Sequence, residues 1–182
     1  YLPSRAGATH ALRVLSSSFF SQGGVTKSSG PIAVTTAASL SKSTATLVTC
    51  GVEPLRLALA VLRQARGAHQ PYRCQLLGAH LEGPFLADSR RGAHPRQHLA
   101  RPSMAELKAR ISGFEHEIAL VTLAPELDGA AALIEHLCGL GIRVALGHST
   151  ADATTANEAF NRGVTMLTHS FNAMQGLHHR NP

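Results

Sequence analysis

The sequence predicts an α/β protein built on a parallel sheet, and three observations carry that prediction. From Thr46 onward, short apolar runs alternate with amphipathic stretches, the rhythm of successive βα units. The chain is 44% hydrophobic but only 4% aromatic and has no Trp, a composition that suits helices laid on buried strands better than a β-sandwich. At 182 residues it holds enough material for one domain with a real core.

Each element has its own reason. Ala11, Leu12, Leu15 and Phe19 are spaced for a helix over 6–22 that stops at Gly23-Gly24. The run KSSGPIAVTTAASLSKSTA, residues 27–45, is rich in Ser, Thr and Ala without a period. It reads as a loop or disordered insertion, whose deletion is expected to leave stability unchanged, because it buries too little apolar area to offset its own ordering. Strands are predicted over 46–49, 74–79, 118–123, 142–146 and 164–168, each a short apolar run. Helices are predicted over 53–66, 104–111, 128–140 and 152–161, the last stopped by Gly163.

Charge and cysteine content narrow the function classes. The formal charge is +6, yet the arginines are scattered, without a basic run or interleaved aromatics, so a nucleic-acid interface is not expected. There is no apolar run of about 18 residues and no secretory signal, so neither a membrane span nor a leader is expected. Cys50, Cys74 and Cys138 are odd in number, far apart and without a CxxC pair, which points to a reducing, cytoplasmic setting rather than a disulfide framework. A first residue of Tyr rather than Met reads as a fragment or a processed piece.

Sites in parallel sheets lie at the carboxyl ends of the strands. Three such ends carry ligand-type residues. His148 and His169 each directly follow an apolar run, and Glu82 stands before Gly83-Pro84, which fix a turn and aim the carboxylate away from the sheet. One carboxylate and two imidazoles, with positions left for water and substrate, is the donor set of a catalytic zinc site rather than a structural one. His80, two residues before Glu82 and so on the same strand face, reads either as a group supporting that carboxylate or as a satisfied core histidine, the latter being favoured. His10, His69, His98, His116 and His136 have nothing to converge on and read as surface residues.

HLEGPF at 80–85, RGAH at 91–94, TLAPE at 122–126, GHS at 147–149 and THSFNAM with HHRNP at 168–182 occur in order. Together they resemble the N-acetylglucosamine-6-phosphate deacetylase family of the amidohydrolase superfamily, its animal form in particular. The resemblance runs continuously from Thr46 to Pro182. It implies an α/β fold that is a partial (β/α)8 TIM barrel of the metal-dependent amidohydrolase type, lacking the terminal barrel strands and the β-sandwich subdomain. On that basis 1–182 is a single partial barrel domain, with 27–45 an insertion where the family runs almost directly from GVT (24–26) to TLVT (46–49).

Position by position, the resemblance matches Glu82, His148 and His169 to metal ligands, the same set that the strand ends suggest. It matches Ala93 and His94 to a loop touching the sugar, Asn172 and Ala173 to a segment holding substrate, and Arg180 to a phosphate-binding arginine. A planar guanidinium fork suits phosphate oxygens. Ser170 stands where the family has Leu or Tyr. The implied reaction is metal-assisted hydrolysis of the acetamide of N-acetylglucosamine 6-phosphate to glucosamine 6-phosphate and acetate, with zinc as the expected metal. The implied partners are the phosphorylated amino sugar and, in the complete protein, a second copy in a homodimer. The family's proton-shuttling aspartate has no counterpart in this sequence, so this chain is expected to be inactive as it stands. Two rival readings are a different amidohydrolase, acting on a cyclic amide, and a non-catalytic truncated product.

Overall fold

In a computed structural model of the chain, residues 42–68, 74–176 and 179 are described. The expected helix over 6–22, together with His10, His69 and Arg180, lies outside them. The regular elements alternate: β1 (Lys42–Val48), α1 (Val52–Gly67), β2 (Gln75–Glu82), α2 (Met104–Ile111), β3 (Ile118–Leu123), α3 (Ala130–Gly139), β4 (Arg143–Leu146), α4 (Ala153–Asn161) and β5 (Met166–Leu167).

All four strand pairings are parallel, and the order in the sheet is β1-β2-β3-β4-β5. Each crossover therefore steps to the next neighbour in one direction. Right-handed crossovers that never reverse lay every helix on one face of the sheet, whereas a doubly wound sheet reverses and carries helices on both. The described βα units thus form part of an α/β barrel.

The two sheet faces divide the chemistry. Leu47, Leu81, Val121 and Val144 stand in register across four strands. All four are buried in one core cluster with Leu55, Leu59 and Leu62 of α1, Leu107 and Ile111 of α2, and Leu133, Ile134 and Leu137 of α3. Complete burial of an aliphatic side chain is worth about 1.5 to 3 kcal/mol, so this layer is the principal source of stability. One position along, the register places Val48, Glu82, Thr122, Ala145 and Met166 in a row on the opposite face.

Helix starts follow local chemistry. Ser103 caps α2 by accepting from the Glu106 N–H at 3.2 Å, the first half of a Ser-x-x-Glu signature. Asp152 caps α4 by accepting from the Thr155 N–H at 2.8 Å.

Three boundaries depart from the sequence expectation. Strand β1 begins at Lys42, so Lys42–Ala45, assigned by composition to the 27–45 insertion, pair with β2 instead; Thr44 lies opposite Gly78 and Ala45 opposite Ala79. Small residues fit a ladder as readily as a loop, and only the partner strand decides. Strand β2 continues to Glu82 rather than stopping at Ala79, because Leu81 and Glu82 are paired on both sides, with β1 and with β3. Strand β5 shrinks to Met166–Leu167, since the Val164 N–H closes the end of α4 on the Ala159 carbonyl at 3.1 Å.

Candidate metal centre

The carboxyl ends of β2, β4 and β5 bring Glu82, His148 and His169 together, as the strand-end argument required. One donor atom from each lies within 4.8 Å of the other two. Glu82 Oε1 is 2.8 Å from Nε2 of His148 and 2.8 Å from Nε2 of His169. The two imidazoles meet edge to face with centroids 5.1 Å apart. Glu82 is the last residue of a strand bonded on both sides. Behind it, Gly83 has φ +91°, and a side chain there would place a Cβ 2.1 Å from Thr49 Oγ1. Glycine therefore allows the chain to leave the sheet immediately after the carboxylate.

Both histidines sit in the left-handed region, His148 at φ 51° and His169 at φ 55°. Non-glycine residues held there store strain that the surrounding structure must impose. For His148 the restraints are visible. Its carbonyl accepts from the Ala87 N–H at 2.9 Å, and the Gly147 N–H before it donates to the Leu123 carbonyl at 3.2 Å.

The tautomer of His148 bears on what the cluster can hold. Nδ1 lies 2.9 Å from the Arg90 carbonyl, which can only accept, so Nδ1 carries a proton and donates it. The neutral ring then presents the Nε2 lone pair to Glu82 Oε1, acceptor against acceptor, and the contact requires a positive centre. One solution is a second ring proton. Burial alone would lower the His148 pKa, but the bonds to Glu82 and to the Arg90 carbonyl outweigh it and raise the imidazole above its usual value. Burial alone would likewise raise Glu82, and its contacts with His148, His94 and His169 instead hold it well below the ordinary carboxylate range. The other solution is a metal cation. Two imidazole nitrogens and a carboxylate oxygen, with one ring oriented by a backbone carbonyl through its far nitrogen, fit a divalent ion of the zinc type.

His94, placed by resemblance in a sugar-contacting loop, packs into this cluster as a buried ring. Its Nε2 is 3.5 Å from Glu82 Oε1, and its ring stands 4.7 Å from that of His148. Thr49 holds the other edge, with Oγ1 2.9 Å from His94 Nδ1, while the same hydroxyl donates to the Glu82 carbonyl at 2.9 Å. Ala93 beside it is exposed. Asn172 is exposed, with its N–H donated to the His169 carbonyl at 2.6 Å, and Ala173 has φ 50°. His80 is the core histidine expected. Its Nε2 is 2.7 Å from Thr122 Oγ1 and its Nδ1 3.2 Å from Thr46 Oγ1, and burial pushes its pKa down.

Sequence reasoning passed over two contributors. The Arg90 carbonyl leaves no side-chain signal at all. Glu126, at the end of the TLAPE run, accepts from Ser149 Oγ at 2.6 Å and from the Thr150 N–H at 2.6 Å. Its only signal in the sequence is a carboxylate just beyond a strand end.

Comparison with known proteins gives relatives for most of the chain. It is 43% identical over 140 residues to an N-acetylglucosamine-6-phosphate deacetylase from Bos taurus, matching 75% of this chain and 34% of that one. It is 40% identical over 137 residues to an N-acetylgalactosamine-6-phosphate deacetylase from Escherichia coli O157:H7, matching 75% of this chain and 36% of that one. Among solved structures, an N-acetyl-D-glucosamine-6-phosphate deacetylase from Mycobacterium smegmatis in complex with N-acetyl-D-glucosamine-6-phosphate superposes with a TM-score of 0.68. That match has 37% identity and covers 76% of this chain and 35% of that one. No family model matches. The chain spans about a third of the length of the curated relatives it matches.

Proposed function

We propose, for a chain homologous over about three quarters of its length to N-acetylglucosamine-6-phosphate deacetylases, that it carries the metal-binding part of a site hydrolysing the acetamide of N-acetylglucosamine 6-phosphate to glucosamine 6-phosphate and acetate. The observation that carries this reading is the His148 Nε2 to Glu82 Oε1 contact at 2.8 Å, with Nδ1 already committed to the Arg90 carbonyl. Glu82, His148 and His169 hold the metal, with zinc the ion that their donor atoms favour. When bound, such an ion polarises an amide carbonyl and makes a bound water acidic.

The chain's own residues do the rest of the positioning. Glu82 supplies the buried anionic ligand, and Thr49 fixes both its backbone and the His94 ring. His94 and Ala93 line the approach of the sugar, and Asn172 and Ala173 hold it through backbone and amide groups. Arg180 takes the phosphate. The general acid that protonates the departing amine is assigned to none of these residues. We place the reaction in the cytoplasm, where the three free cysteines Cys50, Cys74 and Cys138 stay reduced, and assign the complete protein to a homodimer. Among the described residues, no helix is long and apolar enough to cross a membrane.

The 182-residue chain by itself is expected to be inactive, so the test is acetate release from N-acetylglucosamine 6-phosphate by the zinc-loaded complete protein, with the unphosphorylated sugar, the galactose epimer and a cyclic amide alongside. The phosphorylated glucose epimer is expected to be preferred. Equal turnover of the unphosphorylated sugar would remove Arg180 from its role, and preference for the cyclic amide would overturn the reading.

A further inference from the structure

Of the two strand ends that contribute no donor to the cluster, that of β3 is followed by a carboxylate, which grips the two residues after His148. Beyond β3, one oxygen of Glu126 accepts from Ser149 Oγ at 2.6 Å. The other accepts from the Thr150 N–H at 2.6 Å and from Thr150 Oγ1 at 2.9 Å. Ser149 is 1% exposed, and its Oγ also accepts from the Ala151 N–H at 2.9 Å, so the bend is closed from both directions. The Ser149 N–H reaches across to the Ala173 carbonyl at 3.1 Å. A single side chain beyond β3 is thereby tied to the two residues that follow the left-handed His148 beyond β4 and, through Ser149, to the left-handed Ala173 in the turn after His169.

Left-handed backbone at non-glycine residues persists only where its surroundings over-determine it. Relaxation of φ at His148 would swing the imidazole off Glu82, because the ring's position follows from the backbone that carries it. We propose that Glu126 is a positioning residue for the metal centre, holding His148 and the turn after His169 in register without itself binding the ion. The inference rests on the metal reading given above and assigns to Glu126 a task separate from that of the ligands.

Zinc affinity of the 182-residue chain, measured by competition with a chromophoric chelator, tests it, with thermal unfolding of the metal-free chains measured in parallel. Glu126→Ala is expected to weaken zinc binding by about tenfold or more, the lower end of what groups supporting a ligand contribute. Glu126→Gln keeps an acceptor for Thr150 and a polar partner for Ser149, and is expected to recover most of that loss. Should Glu126→Ala fail to fold, Ser149→Ala and Thr150→Val, each removing part of the same grip, carry the test with smaller expected losses. Zinc binding by the unsubstituted chain with unchanged affinity in all folded variants overturns the role of Glu126 alone. Absence of zinc binding by the unsubstituted chain overturns the metal reading, and this inference with it. Loss of affinity in Glu126→Ala without recovery in Glu126→Gln also counts against it, since positioning by hydrogen bonds must tolerate the amide.

Discussion

Glu82 and His148 meet His169 in one cluster, but the two sides of that cluster are built differently. The side chains of Glu82 and His148 are 8% and 5% exposed; Glu82 ends, and His148 follows, a strand paired to neighbours on either side. That of His169 is 50% exposed and follows a two-residue strand that, among the described residues, pairs with β4 alone, amid a run in which Phe171 and Ala173 also have positive φ. Pairing on both sides fixes a strand end through the whole sheet, whereas a strand paired on one side is fixed by that neighbour and its own turn. One half of the centre is thus set by the core, and the other by local hydrogen bonds.

Substitutions can break this contrast. Glu82→Gln removes the carboxylate that both imidazoles contact and is expected to reduce zinc affinity by more than about 100-fold, beyond the 10- to 100-fold typical of groups that only support a ligand. Retention of stoichiometric zinc by that variant, measured by metal analysis after gel filtration, would remove Glu82 from the centre. Leu133→Ala acts on the far face of the sheet, where Leu133 is fully buried. It is expected to lower stability by about 2 to 5 kcal/mol in urea unfolding, while the folded fraction keeps its zinc affinity.

Gly147→Ala probes the seam between the halves, because a Cβ there would stand 2.8 Å from Thr168 Cβ and 3.0 Å from Thr122 Cγ2. Backbone shift around the new methyl is expected to destabilise by about 1 to 3 kcal/mol and to weaken zinc binding through displacement of His169. Unchanged affinity would mean that the His169 half tolerates movement.

The smallest effect lies at the amino end of β3, away from the carboxyl ends that gather the cluster. Glu117 accepts from Arg63 Nε at 2.9 Å and Nη2 at 3.1 Å, and the guanidinium beside it holds its carboxyl below the usual range. A carboxyl with a depressed folded pKa contributes stability above its unfolded pKa and loses it as pH falls through the folded value. Glu117→Gln is therefore expected to cost at most about 1 kcal/mol at pH 7, since Arg63 is half exposed, and nothing measurable in strong acid. A difference that grew toward low pH would contradict the sign.

How much was legible in the sequence varied with the kind of residue. The alternation of runs disclosed every described strand and every described α-helix, and the three ligand-type residues at strand ends were visible because a parallel sheet gathers its carboxyl ends on one rim. Composition misplaced Lys42–Ala45, whose small residues have no preference until a partner strand is present. His94 was reachable only through family resemblance, and its packing against Glu82 depends on a loop path that no periodicity encodes.

By itself, then, the sequence determined the βα rhythm and the presence of ligand-type residues at the strand ends, because these depend on residue type and spacing alone. The tertiary structure decided which tautomer His148 presents, since the acceptor is a backbone carbonyl 58 residues away in sequence. It likewise decided that Glu126 bonds the bend after β4 and that the His169 side chain is half exposed. Hydrogen-bond direction and side-chain exposure depend on where distant segments come to lie, and neither is a property of any local stretch of chain.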